Sequence, residues 1–437
     1  MAEKPDSTTM IGKIRENAAS LRQTLLGAFG VMVVAFTIAS ALNYLFNIIM
    51  NRMLGTEAYG DFYSLTAIFL IVTLGATSVQ AAITKYTAEF EATGDQNKTR
   101  ILLRSYTRGL ALVGVGVLIL SAALALPVAH LLKLESPLFV IILGSSIAVT
   151  LYITLPYGLL QGQQKFLGLG AAAISTAMLR ILAGVVMVLI GFGVYGALGA
   201  GTVGAVVVAV AASYYYRDMY RAPVEKVEDF HAYDTLKFMG PVVLASVLII
   251  LLTQIDAIMV KALFSRSMAG RYSYAALAGK AVLFFPEGIA VVMFPRVNQL
   301  RVQGKPTRRV LVLSLVSATV MVGAVAAFYV IFPKFTMYVF AAKKGQHMAD
   351  AVALVGLFGI VMALFALVKL LALYHLALEK YRFIWLFVVA GIVEVGGILL
   401  FHGSLREVVR VLFAVSASLF VVNLILAFRE RPQKSVE

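Results

Sequence analysis

Read from its N-terminus, the chain is a succession of long apolar blocks separated by short polar ones. The blocks fall near residues 25–50, 62–84, 109–132, 137–161, 167–191, 193–216, 238–260, 272–295, 310–332, 351–375, 383–401 and 407–428. A helix rises 1.5 Å per residue, so each block can cross the ~30 Å hydrocarbon layer of a bilayer. Barrel strands are short and alternate in polarity, whereas these blocks are apolar throughout. The pattern therefore predicts an all-α polytopic membrane protein with twelve transmembrane helices. Residues 1–24 are polar and of mixed charge, with no apolar core or small-residue cleavage site of their own. The first block then reads as an uncleaved anchor and not a signal peptide. Within that tail, Met10–Leu26 has a helical pattern suited to lying along the interface.

Composition agrees with this. Of 437 residues, 61% are apolar and 14% charged, against roughly 45–50% and 25% for soluble domains. That excludes a soluble globular enzyme, a disordered chain and a collagen-like fibre. There is no cysteine, which removes disulfides, thiolate metal sites and a cysteine nucleophile. The net charge of +15 first suggests nucleic acid, but its distribution gives a different reason. With the N-terminus inside, inside segments carry 24 Lys and Arg and outside segments 10. The positive-inside rule then puts both termini in the cytoplasm. No basic run is long enough, or interleaved enough with aromatics, to track a nucleic acid. The longest inside connections, 85–108 and 217–237, are too short for an extramembrane catalytic domain, so the function must take place in the bilayer.

The chain also resembles itself. Ala58-Tyr59-Gly60-Asp61-Phe62-Tyr63-Ser64 aligns with Met268-Ala269-Gly270-Arg271-Tyr272-Ser273-Tyr274 at an offset of 210, and Gly94 with Gly304 at the same offset. Farther on, Tyr157, Lys165 and Phe166 meet Tyr374, Arg382 and Phe383 at an offset of 217. Six spans per half, with both halves starting inside, make the repeat parallel. That is a transporter architecture with the substrate path between the halves. The expected organisation is a tail (1–24), a first six-helix bundle (25–216), a cytoplasmic linker (217–237), a second bundle (238–428) and a second tail (429–437).

Ionisable groups within a bilayer are costly and usually face a partner or a cavity. Away from span edges there are six: Arg180, Asp256, Lys280, Glu287, Lys369 and Glu394. The cations Arg180, Lys280 and Lys369 are candidates to meet an anionic headgroup. Asp256, Glu287 and Glu394 are candidates for ion or proton coupling. Each is also open to a packing role, such as a pair of Lys280 with Asp256 or Glu394. Pro286, between Lys280 and Glu287, predicts a kink in the eighth span. In the first span, Ser40, Asn43, Asn47 and Asn51 share one face, and Thr73, Thr77 and Gln80 do so in the second. These stripes either contact sugar hydroxyls or hold helices together. Gly196, Ala200 and Gly204 read as close helix packing. The histidines at 130, 231, 347, 375 and 402 are scattered, so neither a metal cluster nor a catalytic dyad is expected. A nucleotide-binding phosphate loop is also missing.

The segment Asn51-Arg52-Met53-Leu54-Gly55-Thr56-Glu57-Ala58-Tyr59-Gly60 resembles the Arg-x-Leu-Gly-x-x-x-Tyr-Gly signature of the polysaccharide transport and oligosaccharide flippase family. That family lies within the multidrug/oligosaccharidyl-lipid/polysaccharide exporter superfamily. Leu160-Gln161-Gly162-Gln163-Gln164-Lys165-Phe166, Gly191-Phe192-Gly193-Val194-Tyr195-Gly196-Ala197 and Ile255-Asp256-Ala257-Ile258-Met259-Val260 are similar to further family segments. Ser265 departs from the pattern, standing where a glycine would repeat Gly55. The resemblance covers roughly 25–300 and implies a V-shaped exporter of two bundles in the cytoplasmic membrane. Its substrate would be a polyprenyl-(pyro)phosphate-linked oligosaccharide, moved by alternating access without a cofactor or covalent catalysis. It implies Asn43, Asn47, Gln80 and Arg52 beside the cations as substrate contacts. Glycosyltransferases and a polymerase of a polysaccharide pathway are the implied partners. A drug or cation antiporter of the same superfamily is the main alternative. A membrane-embedded glycan polymerase or ligase, or a scaffold without transport, are the others.

Overall fold

The computed structural model describes residues 30, 32, 34–224, 233–346 and 348–429. The proposed interfacial stretch 10–26, the tail 1–24, linker residues 225–232 and the last residues 430–437 lie outside them. Among the described residues all regular structure is helical, and twelve helices are long and apolar enough to cross a membrane. They are α1 Val34–Met53, α2 Thr56–Thr93, α3 Gln96–Leu131, α4 Leu138–Gly162, α5 Phe166–Leu189 and α6 Gly193–Tyr215 in the first half. The second half holds α7 Tyr233–Leu263, α8 Arg266–Val302, α9 Arg308–Ile331, α10 Ala349–Ala377, α11 Phe383–Leu400 and α12 Leu405–Arg429. The protein is a multi-pass membrane protein of two six-helix bundles.

The repeat is visible in the packing. In the first bundle α4 touches α2, α3 and α6, and α5 lies on α6. In the second, α10 touches α8, α9 and α12, and α11 lies on α12. Gly94 and Gly304 both take positive φ, 70° and 64°, at the turn after the second helix of each half. Lys165 and Arg382 both stand immediately before the fifth helix of their half. The aligned glycines Gly60 and Gly270 meet where α2 crosses α8. A Cβ on Gly60 would lie 3.0 Å from the Gly270 nitrogen, and one on Gly270 would lie 2.2 Å from the Thr56 carbonyl oxygen. Equivalent residues touch each other only near a two-fold axis, so this crossing marks the pseudo-symmetry axis.

Two stretches differ from expectation. The expected inside connection, 85–108, is helical apart from a tight turn. Gly94 ends α2 in the left-handed conformation, and the Asp95 carboxylate accepts from the Lys98 amide to start α3. That hydrogen bond holds the Asp95 carboxyl below the usual aspartate range. The helices persist because one face stays apolar and buried at Phe90, Leu102 and Leu103. Between α9 and α10, the expected outside connection contains a helical stretch, Pro333–Gln346, interrupted at Ala342 (φ 54°) and held by buried Thr336, Met337 and Ala341. The kink expected in α8 is present. The α-helix stops at Lys280, a 3-10 turn runs from Ala281 to Phe284, and the α-helix resumes at Glu287 after Pro286.

The short turns on the side of residues 94–95, 163–165, 303–307 and 378–382 define one face of the protein, called face A. Those at 54–55, 132–137, 264–265 and 401–404 define face B. The Gly60–Gly270 crossing is near face B. Gly270→Leu is expected to force the bundles apart and destabilise the fold by about 1–3 kcal/mol, as overpacking does. Gly75→Ala, where a Cβ meets nothing within 4 Å, is expected to be neutral or slightly stabilising. Thermal unfolding of both variants in detergent checks this; equal midpoints would remove the close crossing as a constraint.

Candidate functional site: a cationic cavity and paired charges

In the first bundle α1, α2, α4, α5 and α6 enclose a cavity of about 310 Å³. Its polar lining consists of Ser40 and Asn43 on α1, Thr66 on α2, Ser146, Thr150 and Tyr157 on α4, and Thr176 and Arg180 on α5. Arg180 is the one ionisable residue among them apart from the Tyr157 phenol. Its Nη1 donates to the side-chain amide oxygen Oδ1 of Asn43 at 3.1 Å, and the guanidinium lies 4.3 Å over the Phe46 ring. Its Nε is buried without a hydrogen-bond partner, and among the described residues no carboxylate lies within ion-pair distance of it. The wall is held in place by Ser146 with Thr202 at 2.7 Å and Tyr157 with Thr176 at 3.0 Å. The small-residue ladder of α6 makes the enclosure possible. A Cβ on Gly204 would lie 2.8 Å from the Thr176 carbonyl oxygen, and one on Gly184 would meet Ala200 at 3.3 Å.

The other five in-span charges are in the second bundle. Lys280 donates to Asp256 at 3.0 Å and to Gln254 at 3.1 Å, and Tyr272 donates to the second Asp256 oxygen at 2.8 Å. Lys280 also lies 5.4 Å over Tyr63 of the first bundle. Glu394 on α11 is fully buried beside this group, with both carboxyl oxygens lacking a hydrogen-bond partner. Lys369 on α10 pairs with Glu287 at 2.7 Å, immediately after the break in α8.

The remaining candidates are dispersed. Asn47 bonds within its own helix to the Asn43 carbonyl. Asn51 reaches the Phe340 carbonyl, and Arg52 donates to the Val339 carbonyl, so both tie α1 to the helix after α9. Gln80 bonds Gln161 at 3.0 Å, joining α2 to α4. Neither Arg52 nor Gln80 lines the Arg180 cavity. Sequence reasoning missed the clamp at face B. Asp61 and Lys261, both wholly buried, form an ion pair between α2 and α7. Arg266 reaches Asp61 at 2.8 Å and Glu135 at 3.1 Å. Lys261 lies near a span end, where position along the chain alone places it among the ten outside cations. The available signal was Asp61 itself, five residues inside α2 in the repeated Tyr-Gly segment.

The family model described as "Polysaccharide biosynthesis protein" matches residues 25–301. The chain belongs to the polysaccharide biosynthesis protein family. No curated protein matches it significantly. Among solved structures, it is similar to an inward-facing multidrug resistance MATE family transporter of the MOP superfamily (TM-score 0.73, 14% identity, covering 90% of this chain and 98% of that one). It is similar to the lipid II flippase MurJ in an inward closed conformation (0.70, 12%, 91% and 88%). An outward-facing MATE family transporter matches at 0.61 (17%, 92% and 96%). At these identities the likeness is one of fold, and the fold is that of the MOP-superfamily transporters.

A charge buried in a pair is costly to orphan, by about 3–5 kcal/mol. Lys280→Met is therefore expected to lower the unfolding midpoint sharply, and Asp256→Asn/Lys280→Met to recover most of the loss. Thermal unfolding of the two variants decides it; a double variant no better than the single one would show that the pair does not act as a unit.

Proposed function

We propose that this protein is a flippase. It moves a polyprenyl-(pyro)phosphate-linked oligosaccharide across the cytoplasmic membrane to the outer leaflet, by alternating access, for cell-surface polysaccharide synthesis. The observation that carries this reading is the chemistry of the first-bundle cavity: one buried guanidinium without a carboxylate, surrounded by hydroxyls and an amide. A guanidinium favours phosphate, and hydroxyls and amides favour sugar. A site for cationic drugs would need the opposite sign. Membership of the polysaccharide biosynthesis protein family and the fold shared with MurJ support the same substrate class.

The positive-inside asymmetry supports a cytoplasmic face A and both termini inside. The bundles are clamped at face B by Asp61, Lys261, Arg266 and the Gly60–Gly270 crossing. The stronger match to the inward-facing than to the outward-facing MATE structure supports a path closed to the outside in this state. Outward opening then requires the face-B ion pairs to separate. Coupling falls to the second bundle, where Glu394 has no donor and can exchange a proton or take a cation beside Asp256. Glu287 is committed to Lys369 near the α8 break and is suited to follow the movement of that helix. The substrate leaves chemically unchanged, for use by the glycosyltransferases and polymerase of the pathway.

Proteoliposomes with a fluorescent polyprenyl-pyrophosphate sugar test the proposal, with a membrane-impermeant quencher reading the outer leaflet. The wild type is expected to make the inner pool accessible. Arg180→Gln is expected to slow this about ten- to hundredfold, since hydrogen bonds to charged groups contribute about 1.5–3 kcal/mol. Cationic-dye efflux with no flipping of any lipid-linked sugar would replace the proposal with the antiporter reading.

A further inference from the structure

A second, larger cavity lies on the lipid-facing side of the first bundle. It is a groove of about 1060 Å³ between α5 and α6, opening toward face A. Its floor is made of small residues, Gly168, Ala172, Ala211 and Ala212, so the groove is deep where neighbouring helices usually interlock. Along α5 it runs from Phe166 to Leu179, about 20 Å at 1.5 Å per residue. That is somewhat more than one leaflet of a ~30 Å hydrocarbon core. It ends where Gly204 brings α6 against α5 at Thr176 and Arg180, so the groove and the Arg180 cavity lie on opposite sides of one sealed helix contact.

Charge marks the open end. The Lys165 ammonium donates to the Tyr215 hydroxyl at 3.1 Å and sits 5.2 Å over the same ring. Among the described residues no carboxylate pairs with it. On the same face Lys98 and Arg301 rest on Asp95 and Glu379. An apolar slot of leaflet length, with a cation unpaired by any carboxylate at its interfacial end, is complementary to a lipid with a long apolar chain and an anionic head.

We infer that the α5–α6 groove holds the isoprenoid tail of the anionic polyprenyl-phosphate lipid, with the phosphate at Lys165. The inference rests on the flippase reading for its choice of lipid and adds a tail site outside the polar path. The groove is thus a docking site, occupied before the phosphate passes from Lys165 to Arg180; because the α5–α6 contact at Gly204 separates the two cavities, the lipid leaves the groove for that step.

The test is photolabelling of the full chain in phosphatidylcholine nanodiscs with a short-chain polyprenyl phosphate carrying a diazirine on its tail. Label is expected on peptides covering 160–179 and 205–216. It should be displaced by unlabelled polyprenyl phosphate and not by the same excess of phosphatidylglycerol. Ala172→Trp and Ala212→Trp, which fill the floor from opposite helices, and Lys165→Glu at the exposed rim are each expected to reduce that label at least tenfold with an unchanged size-exclusion profile. Label elsewhere, or equal displacement by phosphatidylglycerol, overturns the inference. Because the readout is binding, the two readings fail separately. Groove labelling in a protein that flips nothing upholds the groove and sinks the flippase. Wild-type labelling in all three variants of a protein that does flip sinks the groove alone.

Discussion

A charge in hydrocarbon must be paired, hydrated or neutralised, and the organisation of this molecule follows from how it meets that constraint. Of six ionisable groups deep in the spans, four form two pairs, Asp256–Lys280 and Glu287–Lys369. Two remain, and they differ in sign and surroundings. Arg180 faces a cavity of hydroxyls, where an anion can complete it. Glu394 is fully enclosed with no donor on either oxygen. The first bundle thus presents the cation and the second keeps the carboxyl, which places the proposed substrate contact and the proposed coupling in different halves.

The two halves are joined where their repeat makes them meet. Gly60 and Gly270 occupy equivalent positions and bring the α2 and α8 backbones together at the pseudo-two-fold axis. Around that crossing the Asp61–Lys261 pair and the Arg266 contacts add a buried electrostatic lock on the same face. Buried pairs give specificity of arrangement more readily than net stability. A lock of this kind can hold one state firmly and still release as a unit. The break in α8 between Lys280 and Glu287 falls between the two ion pairs of the second bundle.

The sequence made the spans, their number, the repeat and the α8 kink legible, because each is written in local pattern: apolar length, a recurring Tyr-Gly segment, a proline. Helix ends were less legible. Residues 85–108 are polar enough to read as a loop, yet Asp95 caps a helix whose apolar face is satisfied by packing that hydropathy does not register. Partnerships across helices were least legible. Nothing in the order of residues shows that Lys369 reaches Glu287, that Gln80 is used by Gln161, or that Lys261 is turned inward to Asp61 instead of outward to water. Arg180 reads as a mid-span cation, but that it is the one charged residue among the described lining of a cavity depends on how five helices converge.

The first-bundle cavity is proposed to be built for an anionic, hydroxyl-rich head. An experimental structure of the protein with a polyprenyl-pyrophosphate-linked sugar bound tests this most directly. A phosphoryl oxygen is expected within hydrogen-bond distance of the Arg180 guanidinium, with sugar hydroxyls against Asn43, Ser146 or Thr150. A headgroup bound elsewhere, with Arg180 still turned to Asn43 and Phe46 alone, would contradict it.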